Sequence, residues 1–196
     1  MLHPLFMPTY GMILYMAAMR VRTPNLPSIY IHIGIITTFV LTALIPIILM
    51  LILWKRGSIS SLHIDNASER TTPYVYTLIC FGFWCYFVGM IIKMPFVWLI
   101  VAIGATVALM AVTIINRWWK ISAHLTALGG LLGGAFSISL YYSMLPTMLI
   151  IGILLVSLLL MYARLYLNAH TPMQVVCGYI LGLICTFIPN LIIYHA

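Results

Sequence analysis

Four side chains of this sequence could together do chemistry on an anion: two arginines and two histidines, Arg70, His124, Arg164 and His170. They come from three separated stretches of the chain, each beside a long apolar run. An arginine fork matches phosphate oxygens bidentately, and a histidine can attack phosphorus or protonate a leaving oxygen. Taken singly, each has a structural explanation, such as an arginine that reaches the headgroups or a hydrogen-bonded histidine at a helix end. As a set, in a chain with only two acidic residues, they predict an anion site.

The residues around His170 have the pattern of a helix start. Thr171 can cap a helix whose first residue is Pro172, because proline suits the first helical position. His170 then lies beside a helix N-terminus, where unpaired N–H groups and the helix dipole favour an anion. Gln174 follows four residues after His170. Its side-chain oxygen could accept from one imidazole N–H and leave the other ring nitrogen free as a nucleophile.

The amino-acid composition indicates that these residues lie in a protein surrounded largely by lipid. Of 196 residues, 64% are hydrophobic and 6% are charged, and the mean hydropathy is +1.16. A soluble domain is about 45–50% apolar and about 25% charged. This composition excludes a soluble enzyme, a nucleic-acid-binding module and a disordered linker. The net charge of +7 comes from basic residues at the ends of apolar runs, which favours anionic or phosphate-bearing lipids as partners over nucleic acid.

The lengths of the apolar runs predict the fold class. The runs cover residues 3–19, 28–54, 74–93, 95–116, 121–144, 146–163 and 173–194. Six are long enough to cross about 30 Å of hydrocarbon, whereas the first is short and broken by Pro8 and Gly11, which predicts a tilted or interfacial helix. Strand-type alternation is absent from the sequence. We therefore expect an all-α polytopic membrane bundle, one domain over residues 1–196, with six firm transmembrane helices and a short N-terminal one.

Counting the crossings places the four chemical side chains on one face of the membrane. We name the face reached at Lys55 side A and the opposite face side B. The polar stretch 55–72, with Arg70, then lies on side A. The run 74–93 crosses to side B and the run 95–116 returns, provided that the chain turns at residues 93–95, as Pro95 indicates. The next pair of runs repeats this path, so that His124, Arg164 and His170 also lie on side A.

Several other residues have structural explanations. Overlapping Gly-xxx-Gly pairs at residues 129–134 and another pair at 178–182 permit close helix approach, either within the bundle or in a dimer. The four cysteines lie inside apolar runs without a Cys-x-x-Cys pair, so we expect buried thiols and no metal site. Trp118 and Trp119, between Arg117 and Lys120, predict an anchor at the membrane interface.

The spacing of these polar residues resembles the signatures of the type-2 phosphatidic acid phosphatase family. The third signature of that family is Ser-Arg, five residues, His, three residues and Asp. It is similar to Ala163-Arg164, His170 and Gln174, which have the same spacing here. Order along the chain, spacing and membrane side all agree with the resemblance.

The other two signatures have weaker counterparts. The second, Pro-Ser-Gly-His, is similar to the segment Ile121-Ser122-Ala123-His124. The first, Lys, six residues and Arg-Pro, is similar to His63 and Arg70, with Pro73 two places late. The opening residues 3–11 resemble a Bacteroidetes-type branch of the same family.

The resemblance implies a metal-independent phosphatase without a cofactor. His170 would attack phosphorus and form a phosphohistidine, Gln174 would orient it, and His124 would protonate the leaving group. The residues expected to hold the phosphoryl oxygens are Arg70, Arg164, Ser122 and His63, together with backbone amides near Ala123. Substrates of the family are lipid phosphates: phosphatidic acid, phosphatidylglycerol phosphate, undecaprenyl pyrophosphate and lipid A phosphates. The expected location is a bacterial inner membrane, with the site facing the periplasm.

The departures from the family pattern leave a second hypothesis open. His63 replaces a lysine, Gln174 replaces an aspartate, Ala123 a glycine and Ala163 a serine. A neutral amide can hold a histidine tautomer, but it stabilises an imidazolium less than a carboxylate does. The alternative is therefore a weak or inactive phosphatase-fold protein that binds a lipid phosphate without hydrolysing it. A haem protein is disfavoured, because His124 and His170 lie at helix ends on one face beside arginines.

Overall fold

The computed structural model describes residues 3–22, 25, 27–61, 67–142 and 147–195. His63 and the junction between the runs 121–144 and 146–163 lie outside the described residues. Within those ranges every regular element is helical, which confirms the all-α prediction. The eight α-helices are α1 Met7–Arg22, α2 Ser28–Phe39, α3 Ile45–Lys55, α4 Thr71–Tyr86, α5 Phe96–Ile115, α6 Ala123–Tyr142, α7 Thr147–Tyr166 and α8 Pro172–His195.

Short non-α turns extend or join several of these helices. Turns of 3₁₀-helix, Pro4–Phe6 and Ala67–Arg70, lead into α1 and α4. A π-helical turn, Val40–Leu44, joins α2 to α3, and another, Phe87–Ile91, ends α4. The first π turn directly precedes Pro46, whose ring excludes the carbonyl four residues back and removes one backbone hydrogen bond.

Six helical segments of the described chain are long and apolar enough to span a membrane. They are Ser28–Lys55, Thr71–Ile91, Phe96–Ile115, Ala123–Tyr142, Thr147–Tyr166 and Pro172–His195. Large apolar side chains such as Ile36, Phe83 and Leu159 are exposed on their outer faces, where lipid is the matching solvent. The chain is an integral membrane protein, and the predicted spans agree with the helices to within a few residues.

The tight turn between α4 and α5 fixes the directions of the later spans. Lys93 has a positive φ of 54°, and Met94 N–H donates to the Val88 carbonyl at 3.0 Å. Pro95 caps α5, and its carbonyl accepts from Trp98 N–H at 2.9 Å. The predicted hairpin is therefore present, so the ends of α5 and α7 and the starts of α4, α6 and α8 share side A.

Helix α1 is packed inside the bundle, so of the two predicted alternatives, a tilted or an interfacial helix, the interfacial one is wrong. Met12, Tyr15 and Met16 are at most 1% exposed, and they belong to the largest hydrophobic cluster. The hydroxyl of Thr42 in the π turn donates to the Leu5 carbonyl at 3.4 Å. Gly11 lets the helix approach α5, because a Cβ there would lie 3.2 Å from the Trp98 ring. The glycine that breaks the apolar run is thus a packing position.

Helices α6 and α8 run parallel in the closest contact of the bundle. Gly129 and Gly133 of α6 face α8, and Gly178 and Gly182 of α8 face α6. A Cβ on Gly182 would collide with the Thr126 carbonyl, and one on Gly129 would collide with the Tyr179 carbonyl. The small-residue pairs are therefore used inside this chain, where they bring the N-termini of α6 and α8 side by side on side A.

We expect Gly182→Ala to destabilise the protein by about 1–3 kcal/mol, because the added methyl overpacks a backbone contact that cannot move away. The matched control is Gly152→Ala in α7, where a Cβ would meet nothing within 4 Å. Thermal unfolding of the detergent-solubilised protein measures both variants. Equal melting temperatures for the two variants would contradict the close contact between α6 and α8.

Candidate active site

The structure brings the two arginines and two histidines together at one cavity on side A. The cavity has a volume of about 720 Å³, and Arg70, His124, Arg164 and His170 all line it. Each comes from a different place in the fold: the turn before α4, the first turn of α6, the last turn of α7, and the residues before α8. The convergence that the crossing count predicts is thus present in the fold.

A capping box fixes the chain at His170. The Gln174 N–H donates to Thr171 Oγ1 at 3.4 Å, and the Thr171 N–H donates back to Gln174 Oε1 at 3.1 Å. This reciprocal pair satisfies two backbone donors that a helix start would otherwise leave unpaired. Pro172 between them has no N–H to satisfy. These bonds hold the start of α8 rigidly, and His170, the residue before Thr171, is held with it.

The hydrogen bonds of His170 determine its tautomer. Its Nδ1 lies 3.1 Å from the Lys120 carbonyl oxygen and 3.1 Å from Gln174 Oε1. Both partners are acceptors, because the same Gln174 oxygen already receives the Thr171 N–H. Nδ1 must therefore carry the proton, which leaves the lone pair of the ring on Nε2. This is the arrangement that a nucleophilic histidine needs.

Burial lowers the pKa of His170 below its ordinary value, and the nearby charges of Lys120 and Arg70 act in the same direction. The hydrogen bonds to Gln174 and to the Lys120 carbonyl oppose this shift, because both stabilise the charged ring. The net effect is a lowered pKa, so the ring is neutral at pH 7. A neutral ring with a fixed tautomer offers its lone pair without prior loss of a proton.

His124 lies near several basic side chains of the cavity. Its ring contacts that of His3 edge to face, with centroids 5.8 Å apart. The groups whose charges act on it are Arg164, His3, His170 and Arg70. No carboxylate is among the cavity-lining residues of the described chain. Glu69, beside Arg70 in sequence, accepts instead from the N–H and hydroxyl of Ser60, at 2.7 and 2.9 Å.

Both arginines are held by their helices. Arg70 ends the 3₁₀ turn before α4, and the Tyr74 side chain, one turn later, hydrogen-bonds with it. Arg164 lies in the last turn of α7, and its Nε–H is enclosed without an acceptor. A buried donor without a partner is costly, and an anion in the cavity would supply the acceptor.

Two of the predicted site residues do not line the cavity. Gln174 lies behind His170, where it orients the ring. Ser122 is fully buried, its hydroxyl has no partner, and its N–H donates to the Gln174 carbonyl at 3.2 Å. The geometry therefore does not support direct phosphate binding by the Ser122 side chain. Ala123, the first residue of α6, lines the cavity in place of Ser122. Its backbone N–H lies in the first turn of a helix, where N–H groups have no intrahelical acceptor.

Three contributors were not singled out from the sequence. His3 and Lys120 line the cavity, and Tyr74 holds Arg70. Of these three, Tyr74 could have been predicted, because residues four apart on a helix, such as Arg70 and Tyr74, are neighbours on its surface. Lys120 was interpreted as part of an interfacial anchor, yet it supplies a cation to the cavity and a carbonyl to His170.

The fold and this cavity define a polytopic membrane protein with an internal cavity lined by basic side chains. A family model described as the PAP2 superfamily matches residues 101–195 of the chain. The match confirms the resemblance and contains His124, Arg164 and His170, whereas Arg70 precedes it. Members of the superfamily generally hydrolyse phosphate esters, which indicates a phosphatase. No curated protein and no solved structure matches the chain.

We expect inorganic phosphate to raise the melting temperature of the wild type, because it binds only the folded cavity. At ten times its Kd the stabilisation would be about 1.4 kcal/mol. Arg164→Gln should weaken phosphate binding by about tenfold or more, since a hydrogen bond to a charged group contributes roughly 1.5–3 kcal/mol. Arg117→Gln, an exposed position outside the cavity, is the control. An equal phosphate-induced shift in Arg164→Gln and Arg117→Gln would contradict the anion site.

Proposed function

We propose that this protein is a membrane phosphatase that hydrolyses lipid phosphates through a phosphohistidine at His170. The observation that carries the proposal is the pair of acceptors on Nδ1 of His170, which directs the Nε2 lone pair toward an anion cavity. The superfamily match supports hydrolysis of a phosphate ester. The six membrane spans and the apolar body of the cavity support a lipid as the carrier of that phosphate.

In the first step, the Nε2 lone pair of His170 attacks phosphorus and forms the N–P bond. The bond from phosphorus to the leaving oxygen breaks, and that oxygen takes a proton from His124. The charge on the phosphoryl oxygens is met by Arg70, Arg164 and Lys120, which act as preorganised donors. The negative phosphate also offsets the positive charge around His124, so that this ring takes up a proton when the substrate binds and then donates it to the leaving oxygen.

In the second step, water attacks phosphorus and the N–P bond breaks. The proton of the water passes to His124, and His170 regains its neutral Nδ1–H form. Between the two steps the phosphorylated His170 ring carries a positive charge. Its Nδ1–H donates to Gln174 Oε1 and to the Lys120 carbonyl, and both bonds strengthen when the donor is charged. The cycle as proposed uses protein groups, the substrate and water, and it needs no metal ion.

We further propose that the site faces the periplasm from a bacterial inner membrane, as the family resemblance implies. Side A carries six Lys/Arg residues and side B carries three. Three of the six on side A, namely Arg70, Lys120 and Arg164, line the cavity. The remaining charges are equal, three on each side, so the positive-inside rule does not oppose this orientation.

We expect His170→Ala to lower phosphate release by more than about 1,000-fold, because the nucleophile is lost. The assay uses purified protein in detergent, a panel of lipid phosphates, and EDTA to remove metal ions. An acid-labile phosphoryl label on the wild type should be missing from the variant. The control is His32→Ala, an exposed position outside the cavity whose ring hydrogen-bonds with the Ser28 carbonyl.

Retained release in His170→Ala would overturn the phosphohistidine mechanism. Phosphate release that EDTA abolishes would overturn metal independence. A folded wild type that binds lipid phosphate and releases none from any substrate would establish the alternative, a binding protein without hydrolysis. The neutral Gln174 is the feature that favours this alternative, because it supports the charged intermediate less than a carboxylate would.

Gln174→Glu tests this point directly. Glutamate keeps the length of the side chain and both hydrogen bonds, and it adds a negative charge next to His170. That charge favours the imidazolium and raises the pKa of His170, so the acid limb of kcat/KM should move to higher pH. It should also raise kcat, because the positive intermediate is stabilised. The pH profile of phosphate release measures both effects.

The control for this substitution is Gln174→Met, which keeps the bulk and removes the acceptor. It should lower kcat by up to about tenfold, since one hydrogen bond contributes about 0.5–1.5 kcal/mol and the Lys120 carbonyl still holds the ring. An unchanged acid limb in Gln174→Glu, with an unchanged melting temperature, would contradict the positioning role of Gln174.

A further inference from the structure

The cavity does not end at the charged residues but continues deep into the bundle. It is lined along three spans, from Pro73 to Trp84 of α4, from Val112 to Trp98 of α5, and from His124 to Ile138 of α6. We name its inner part the deep chamber and define it by Leu14, Trp84, Trp98, Val101, Ala105 and Ile138. Helix α1 contributes Leu14 and Gly11 to this wall. The charged site and the deep chamber are therefore two ends of one space.

The depth of this space is comparable to a lipid chain. His124 and Ile138 are fourteen residues apart on α6, which corresponds to about 21 Å along the helix. Trp98 and Val112 are also fourteen residues apart, so the cavity extends about 21 Å along α5, which runs in the opposite direction to α6. Half the hydrocarbon thickness of a bilayer is about 15 Å, so the chamber reaches past the middle of the membrane.

The deep part of the cavity offers few free polar groups, because even its polar side chains are mostly hydrogen-bonded within the protein. The hydroxyls that line it donate to backbone carbonyls within the protein: Thr77 to Pro73 at 2.8 Å, Thr126 to Ser122 at 3.0 Å and Thr186 to Gly130 at 3.1 Å. The Trp98 indole N–H also lines this part, and it is buried without an acceptor. An apolar space of this kind does not retain ordered water and instead binds hydrocarbon.

Small residues determine the width of the cavity. Gly130, Gly134, Ala105 and Ala108 line it, where larger side chains would fill it. Its volume of about 720 Å³ lies in the range of pockets that enclose one ligand of roughly drug size. One chain with its phosphate fits this description, and two long chains exceed it.

We infer that the deep chamber holds the hydrocarbon of the substrate as a single linear chain, while its phosphate lies at His170. The class of substrate is a phosphate ester of a one-chain lipid, either acyl or isoprenoid. The cationic mouth matches the headgroup, and the apolar interior matches the chain. The inference rests on the proposed function for the phosphate ester, and the geometry of the chamber supplies the chain.

The test is a series of single-chain alkyl phosphates of increasing length, assayed for kcat/KM. Wild type should gain at least tenfold between a four-carbon and a sixteen-carbon chain. Ala105→Phe, which blocks the chamber at mid-depth, should lose this gain, so that its kcat/KM no longer rises with chain length. The control is Val107→Phe on the lipid-facing side of α5, where Val107 is 42% exposed, and it should keep the gain. The same kcat/KM for short and long chains in wild type, or equal losses in both variants, would overturn the inference.

A second variant and a second readout keep the test decisive. If Ala105→Phe does not fold, Ala108→Leu blocks the same space with a smaller side chain. Thermal stabilisation by a sixteen-carbon alkyl phosphonate, which cannot be hydrolysed, reports binding without turnover. If no substrate is hydrolysed, the proposed function fails. Stabilisation that is lost only in the blocked variant would still support the chamber, and its absence in wild type would overturn it.

Two further substrates separate the chain classes. A monoacyl glycerol phosphate should be hydrolysed with at least tenfold higher kcat/KM than the diacyl form with the same chains. Faster hydrolysis of the diacyl form would overturn the single-chain assignment. A polyprenyl phosphate of matched length then distinguishes isoprenoid from acyl lipids, because Ala105→Phe should affect most strongly the chain that occupies the chamber.

Discussion

The parallel packing of α6 and α8 is the constraint on which the site depends. Parallel helices place two N-termini side by side, and their dipoles add a positive potential at the same point. That arrangement is unfavourable on its own, and the small residues at Gly129 and Gly182 make it possible by bringing the backbones into contact. The Ser122 N–H to the Gln174 carbonyl then joins the two helix starts. The result is a fixed place for an anion, bordered by His124 on one helix and His170 before the other.

The charge balance of the cavity explains how one glutamine can replace a carboxylate. Arg70, Lys120, Arg164 and the histidines face a space without an acidic residue in the described chain. A carboxylate at position 174 would offset part of this positive charge before substrate binds. Gln174 leaves the charge for the substrate and still completes the capping box and the Nδ1 hydrogen bond. In the proposed reaction, this exchange would strengthen binding of the anionic substrate and would give the phosphohistidine intermediate less support.

The sequence predicts what depends on local pattern and misses what depends on packing. Apolar run lengths locate the spans, and the turn at Pro95 gives the side of each end. The four-residue spacing gives the contact from Gln174 to His170. The role of the Lys120 carbonyl could not be predicted, because a backbone group has no signature in sequence. Gly11 was interpreted as a break in a helix, although it is a contact with Trp98 that appears only after α1 and α5 pack.

Helix α1 connects the two ends of the cavity. Its first turn follows His3, which contacts the His124 ring, and its inner face carries Gly11 and Leu14 into the chamber wall. A chain in the chamber would therefore pack against the same helix that positions a group beside the general acid. Binding energy from the remote chain can then be used to fix the geometry at the reacting phosphate, which raises kcat and not only affinity. On the proposed function, the short helix that the sequence predicts as tilted or interfacial would be the element that couples substrate binding to catalysis.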